Sequence, residues 1–361
     1  MNKARKSNLH VNGRKPRSRK PHSKTTRGLV IALISLLSIL SVLMIGVGAY
    51  FWHLYSLMGH NQGITGDFID SLVPDEMNKD YNDISDYTDI EEGAAGVAEI
   101  PVRTSTKNIQ NFLLIGIDTR NPNSFIGLSD AVIILTIDSS RKEIKLTSIL
   151  RDTLVTLPGR DRNQDGKDDY AKFNTSYSLG GFNLLSKTIE QNFRLKIDKY
   201  VTMNFAAFKE LVDFMGGVEI KLTQAEAKWI KVGNAADTYH LNGKKTLEYA
   251  RIRKLDSDFG RTNRQRKALT AMFNKAKTMS IGKLNGILNK TLPRVDTNMT
   301  ANEFTGFIFN SVTYFGYKMD KTFYLPKSGE YRNAPEYRLG SVLLLKDPAD
   351  AVTDLHKFIY N

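Results

Sequence analysis

A run of 25 residues without a charge, 28–52 (GLVIALISLLSILSVLMIGVGAYFW), constrains the chain more than any other feature. As a helix rising about 1.5 Å per residue it would span roughly 37 Å, more than the ~30 Å hydrocarbon core of a bilayer. The run is longer than the apolar core of a signal peptide, and no Ala-x-Ala pattern follows it. It therefore reads as a retained membrane anchor, with Tyr50, Phe51, Trp52 and Tyr55 where an interfacial aromatic belt belongs.

The charge pattern divides the chain around the same segment. Residues 1–27 carry ten Lys and Arg and no acid, 28–102 carry eleven acids against one Lys, and 103–361 carry 40 basic against 27 acidic residues. Tail and linker cancel, so the formal charge of +13 belongs to the C-terminal region. Positive charge beside an apolar span stays in the cytoplasm. The expected order is a basic cytoplasmic tail (1–27), a transmembrane helix (28–52), an acidic extracytoplasmic linker (53–107) and one folded domain outside the cell (108–361). The chain has no cysteine, which excludes a disulfide scaffold, thiol chemistry and thiolate zinc. Its six histidines form no ligand pair at a recognisable spacing.

From residue 108 the pattern becomes that of a layered domain. Nearly continuous β-branched and apolar runs at 110–117, 131–138 and 143–150 read as strands covered on both faces. Helical periodicity marks 180–194, 205–215, 246–253 and 261–279, and 201–204 and 218–222 read as further strands. Gly216-Gly217 ends the helix between them. An amphipathic helix closes the chain at 348–360. The fold class is α/β or α+β: a single domain with a central mixed β-sheet between helical layers, preceded by one transmembrane helix.

Polar residues collect where the strands end. Asp118, Thr119 and Arg120 follow the first strand, Ser129 and Asp130 precede the second, and Arg151 and Asp152 follow the third. Ligands of layered α/β folds bind beyond strand ends. Farther on, Arg251, Arg253, Arg261, Arg264 and Arg266 lie within 16 residues, and Arg261 and Gln265, four apart, share a helix face. Two hard carboxylates can hold Mg²⁺ and leave positions for phosphate oxygens, which guanidinium groups bind bidentately. Acids with arginines thus suggest a polyphosphate substrate. The alternative is that Asp118 and Asp130 cap turns while the arginines form a solvated face.

Six blocks, NFLLIGIDTR (111–120), SDAVIILTID (129–138), SILRDT (148–153), KFNTSYSLGG (172–181), LNGKKTLEYARIR (241–253) and DFGRTNRQRK (258–267), resemble the LytR-CpsA-Psr family in order and spacing. The resemblance implies a membrane-anchored phosphotransferase of a Gram-positive type envelope. Such an enzyme moves an anionic glycopolymer (teichoic acid, capsule or another wall polysaccharide) from a polyprenyl-pyrophosphate carrier to peptidoglycan. It further implies Asp118, Asp130, Arg151 and Asp152 as catalytic residues, with Mg²⁺, or Mn²⁺ in its place, on Asp118 and Asp130. Arg120, Arg151, Lys172, Arg251, Arg253, Arg261 and Gln265 would bind substrate; a polyprenyl tail needs an apolar slot, which an aromatic-rich helix at 205–214 could line, ordinary core being the alternative for its residues. One position departs from the pattern: many members carry a basic residue before the Ser-Asp pair, and here Leu128 stands there.

Two further readings stay open. Asp161, Asn163, Asp165 and Asp169, with Gly166 between, copy the start of a calcium loop, but Lys172 stands where a bidentate Glu belongs, and a solvated Asp/Asn turn fits the loop better. The alternative function is a membrane-bound transcriptional attenuator, or a wall-polysaccharide-binding regulator without catalysis. A 27-residue tail with no folded reader supplies only salt-dependent contacts, so no specific nucleic-acid binding is expected.

Overall fold

A computed structural model of the chain describes residues 24–60, 96–119, 125, 127–161, 166–334 and 341–361. The apolar run forms helix α1 (Lys24–Ser56). Its segment Ala32–Ser56 contains an 18-residue stretch with a mean hydropathy of 2.4 and is long enough to cross a membrane. The chain divides into two compact units, Met1–Tyr50 and Phe51–Asn361. In the first, every side chain from Ala32 to Tyr50 is exposed.

The second unit contains, in chain order, strands β1 (Gly59–His60), β2 (Ile109–Asp118), β3 (Leu128–Asp138), β4 (Glu143–Ile149), β5 (Leu154–Thr156) and β6 (Tyr170–Lys172). Helix α2 (Thr175–Phe193), β7 (Lys199–Asn204), α3 (Phe205–Phe214), β8 (Val218–Leu222), α4 (Gln224–Trp229), β9 (Asp237–Leu241), α5 (Gly243–Ala250), α6 (Asp258–Lys277) and α7 (Ile281–Thr291) follow. The chain ends with β10 (Val295–Thr297), α8 (Ala301–Tyr314), β11 (Lys318–Leu325), β12 (Tyr331–Ala334), β13 (Val342–Leu345) and α9 (Pro348–Tyr360). Seven strands form one mixed sheet in the order β1-β10-β7-β2-β3-β4-β11. β2 is parallel to β7 and antiparallel to β3, and β4 is parallel to β11.

The central strands show why the sheet is buried on both sides. Successive strand side chains point to opposite faces. Leu113, Ile115 and Ile117 of β2, with Val132 and Ile134 of β3, join a core completed by Leu185 and Ile189 of α2 and Val352 and Leu355 of α9. The alternate residues Leu114, Gly116, Ala131 and Ile133 line a cavity beneath α3, α5 and α6. Helix α9 is tied to the sheet by Lys145, buried on β4, whose Nζ donates to the carbonyls of Phe358 and Ile359 at 3.0 and 3.1 Å. A cation there satisfies otherwise orphaned carbonyls at a helix C-terminus.

Several boundaries differ from the sequence reading for identifiable reasons. Helix α2 begins at Thr175 and kinks at Gly180 and Gly181, whose φ/ψ pairs are non-helical. The expected helix at 246–253 starts earlier, where Asn242 accepts a hydrogen bond from the Lys245 backbone N–H, and stops at Ala250. Arg251 and Arg253 therefore lie in the turn after it. Strand β8 pairs with β9 in a separate hairpin and not in the main sheet. Gly216 and Gly217 end α3 with φ of 81° and 83°, conformations that side chains with a Cβ resist. Within the stretch assigned to the linker, Leu54, Met58 and Val97 are buried and β1 pairs with β10, whereas residues 61–95 lie outside the described residues.

Candidate anion site at the strand ends

The site begins with a register shift. Gly116 faces Ala131 and Ile117 faces Ser129, so Asp130 is the extra residue of a bulge between β2 and β3. Bulges bend a strand and re-aim the side chain at the irregularity. Asp118 ends β2 opposite Leu128, so an apolar side chain stands across from the carboxylate. Arg151 and Asp152 follow β4 after Leu150, and the antiparallel pairing of β6 with β5 returns Lys172 to them.

The turn after α5 brings arginines to these acids. Arg251 Nη2 donates to Asp118 Oδ2 at 2.9 Å, and Arg253 Nη2 donates to Asp130 Oδ2 at 2.7 Å. Arg151 Nη1 stands 3.7 Å from the other oxygen of Asp130. Arg151 Nε lies between Asp152 and Asp258, at 3.2 and 3.1 Å, and Lys172 Nζ is 3.2 Å from Asp152. Gln265 donates to the backbone carbonyl of Asp130 at 3.3 Å. The structure thus gathers Asp118, Asp130, Arg151, Asp152, Lys172, Arg251, Arg253, Arg261 and Gln265. Arg120 lies outside the described residues.

Electrostatics distinguish the arginines. Burial disfavours the charged form of Arg151, yet Asp152, Asp258 and Asp130 outweigh it and raise its pKa. Burial likewise opposes the charge of Asp152, while Arg151 and Lys172 hold its pKa below the ordinary carboxylate value. Arg261 is the reverse case. Burial, reinforced by the like charge of Arg151, pulls its pKa down against the pull of Asp258. Its side chain is 2% exposed, its contact with Asp258 is a long 3.5 Å, and its Nε and Nη1 have no hydrogen-bond partner. A buried, undercompensated guanidinium is costly unless an anion completes it.

Arg264 and Arg266 belong to the same arginine-rich stretch but are struts. Arg264 grips Asp256 through both terminal nitrogens, at 2.9 and 2.6 Å, and donates to the carbonyl of Ile252 at 2.9 Å. It therefore fixes the turn that carries Arg251 and Arg253. Arg266 donates to Ser148 at 2.7 Å and lies over Tyr324; burial lowers its pKa to about 10. The sequence reading also passed over Asp258. Its position at the start of α6 resembles an ordinary acid at a helix N-terminus, and its distant partner Arg151 has no local signal.

The charged cluster borders the apolar cavity. That cavity, about 170 Å³, is lined by Phe205, Phe208 and Leu211 of α3 and by Ala268, Leu269 and Met272 of α6, as well as by the strands. Arg251 and Gln265 belong to both the lining and the charged cluster. Arg251 also lies over the Phe205 ring, 4.7 Å from its centroid. One guanidinium therefore touches a carboxylate and the apolar wall.

The donor set suits a hard cation sparingly. Asp118 and Asp130 supply carboxylate oxygens at neighbouring strand ends, and Mg²⁺ accepts two carboxylates while keeping several waters. Among the described residues no group of three or more His, Asp or Glu side chains is placed to hold a metal ion. Of the possible calcium loop, Asn163 and Asp165 lie outside the described residues, and Asp161 Oδ2 accepts from the backbone N–H of Gly166 at 2.9 Å.

The model of the LytR_cpsA_psr family matches residues 76–344. A polyisoprenyl-teichoic acid–peptidoglycan teichoic acid transferase, TagU of Bacillus cereus, is 31% identical over 265 residues, covering 73% of this chain and 77% of TagU. TagV of Bacillus subtilis, a transferase of the same description, is 34% identical over 202 residues, covering 54% of this chain and half of TagV. The crystal structure of B. subtilis TagV superposes with a TM-score of 0.54 at 28% identity, covering 70% of this chain and 98% of that one.

Proposed function

This chain belongs to the LytR-CpsA-Psr family, and on that premise we propose that it is a membrane-anchored transferase that moves an anionic glycopolymer from a polyprenyl-pyrophosphate carrier to peptidoglycan. The observation that carries the reading is the amphipathic site: Arg251 and Gln265 line the apolar cavity and also belong to the charged cluster. A lipid pyrophosphate has that same polarity, an apolar chain joined to a dianionic head. The names of the relatives, teichoic acid transferases, favour teichoic acid as the cargo and favour catalysis over a regulatory role. The basic tail and the apolar helix support a cytoplasmic N-terminus with the catalytic unit outside the cell.

In this reading the isoprenoid units next to the head lie between sheet and α3, and the pyrophosphate lies among Arg151, Lys172, Arg251, Arg253 and Arg261. The acceptor sugar hydroxyl attacks the phosphorus that carries the glycan, giving up its proton to solvent. The anhydride bond breaks, and polyprenyl phosphate leaves with the bonding electrons. Little covalent chemistry is asked of the protein, which positions the partners and neutralises charge developing on the leaving phosphate. Arg261 suits that task best, because its unpartnered nitrogens are already desolvated. Asp118 and Asp130 would hold Mg²⁺, which supplies further charge neutralisation when bound. Asp152 and Asp258 keep Arg151 charged and oriented.

The test is transfer itself. Full-length protein in vesicles, given a radiolabelled polyprenyl-pyrophosphate glycan and peptidoglycan, should move the label into peptidoglycan and stop on addition of EDTA. Binding of the glycan without transfer, under all divalent-cation conditions, would instead support a binding protein.

A further inference from the structure

We propose that the outer face of α8 beds into the bilayer surface, so that the catalytic unit rests on the membrane instead of standing off it. The partner is the headgroup and upper acyl region of the leaflet from which α1 emerges. The first argument is connectivity. The apolar run ends at Trp52, so residues 51–55 lie at the level where hydrocarbon gives way to water. Those residues are part of the folded unit: Leu54 and Met58 are buried in a core with Phe304, Tyr314 and Tyr317. Two residues beyond the helix, Gly59 and His60 already pair with β10.

The second argument is what α8 presents there. Phe51 meets Phe309 of α8 with ring centroids 4.8 Å apart, and Tyr55 meets Phe304 at 6.5 Å. Next to this contact Phe309 is 59% and Val312 67% exposed, three positions apart on one helix face, and Trp52 is 63% exposed. The other large apolar side chains exposed among the described residues of this unit, Leu128, Trp229 and Ile281, stand on three separate elements. Isolated exposed apolar residues are ordinary, whereas Phe309 and Val312 adjoin an aromatic cluster fixed at the interface by the chain itself. Aromatic side chains at that level gain from having an apolar body and a hydrated edge.

The absence of cysteine makes the test clean, because a single introduced thiol is the only labelling site. Full-length Val312→Cys carrying an environment-sensitive fluorophore is reconstituted in phosphatidylglycerol–phosphatidylethanolamine vesicles containing nitroxide lipid. Ile45→Cys, within the apolar run, and Lys357→Cys, on α9, carry the same probe. All three sites are solvent-exposed in the folded chain, so labelling leaves the packing intact. The expected result is a blue-shifted, lipid-quenched probe at 312 that approaches the 45 probe, with the 357 probe unquenched. Equal behaviour at 312 and 357, whether both quenched or both in water, would overturn the proposal.

Discussion

The two faces of the central sheet are built from alternate residues of the same strands and have been given different work. On one, α2 and α9 close over Leu113, Ile115, Val132 and Ile134 in a packed apolar core, with a separate cavity of about 540 Å³ at its edge beside Val155 and Phe193. On the other, Gly116 and Ala131 are small, α3, α5 and α6 stand over them, and a cavity remains with arginines at its edge. Close packing is what interiors ordinarily reach, so the apolar cavity with Arg251 in its wall is the place where a ligand is expected.

Substitutions should separate the faces. Asp130→Ala removes the bulge carboxylate and is expected to lower transfer by about 10²–10³-fold, the scale for losing a preorganised electrostatic group, with the unfolding midpoint nearly unchanged. Arg264→Ala should break the comparison, because this strut serves both roles. It leaves Glu226 and Asp256 without their cation, should cost about 3–5 kcal/mol in denaturant unfolding, and should weaken donor binding through the loosened Arg251–Arg253 turn. Leu185→Ala, on the packed face, should cost about 2–5 kcal/mol of stability while activity per folded molecule stays constant.

Ala131→Leu, on the cavity face, should raise KM for a long-chain lipid donor by about tenfold and leave a short-chain donor less affected. The smallest effect concerns acid. The pKa of Asp152 is depressed in the folded chain, so its contribution to stability is present above the unfolded value of ~3.9 and is lost as pH falls through the folded value. Asp152→Asn should flatten that part of the urea-midpoint profile below pH ~4 and leave the neutral region parallel to that of the parent chain.

The packed face was the more legible in the sequence. Continuous apolar runs announced β2, β3 and β4, and the periodicity of 348–360 coincides with α9. Among the unread strands, β11 buries only Phe323 and Leu325, and β10 has three residues. The site was legible as an inventory and not as a division of labour. Arg261, Arg264 and Arg266 look alike in sequence, yet their roles depend on Asp258, Asp256 and Ser148, which approach from different directions. The bulge that frees Asp130 depends on strand register, which no motif spells out.

The central claim is that one site reads a lipid and a pyrophosphate together. Binding of a short prenyl pyrophosphate, of inorganic pyrophosphate and of the matching prenyl alcohol to the parent chain, Arg261→Ala and Ala131→Leu tests it directly. The account expects prenyl pyrophosphate to bind well above either half, Arg261→Ala to weaken both phosphorylated ligands, and Ala131→Leu to weaken only the ligands with a tail. Equal affinity for inorganic and prenyl pyrophosphate, unchanged in Ala131→Leu, would contradict it.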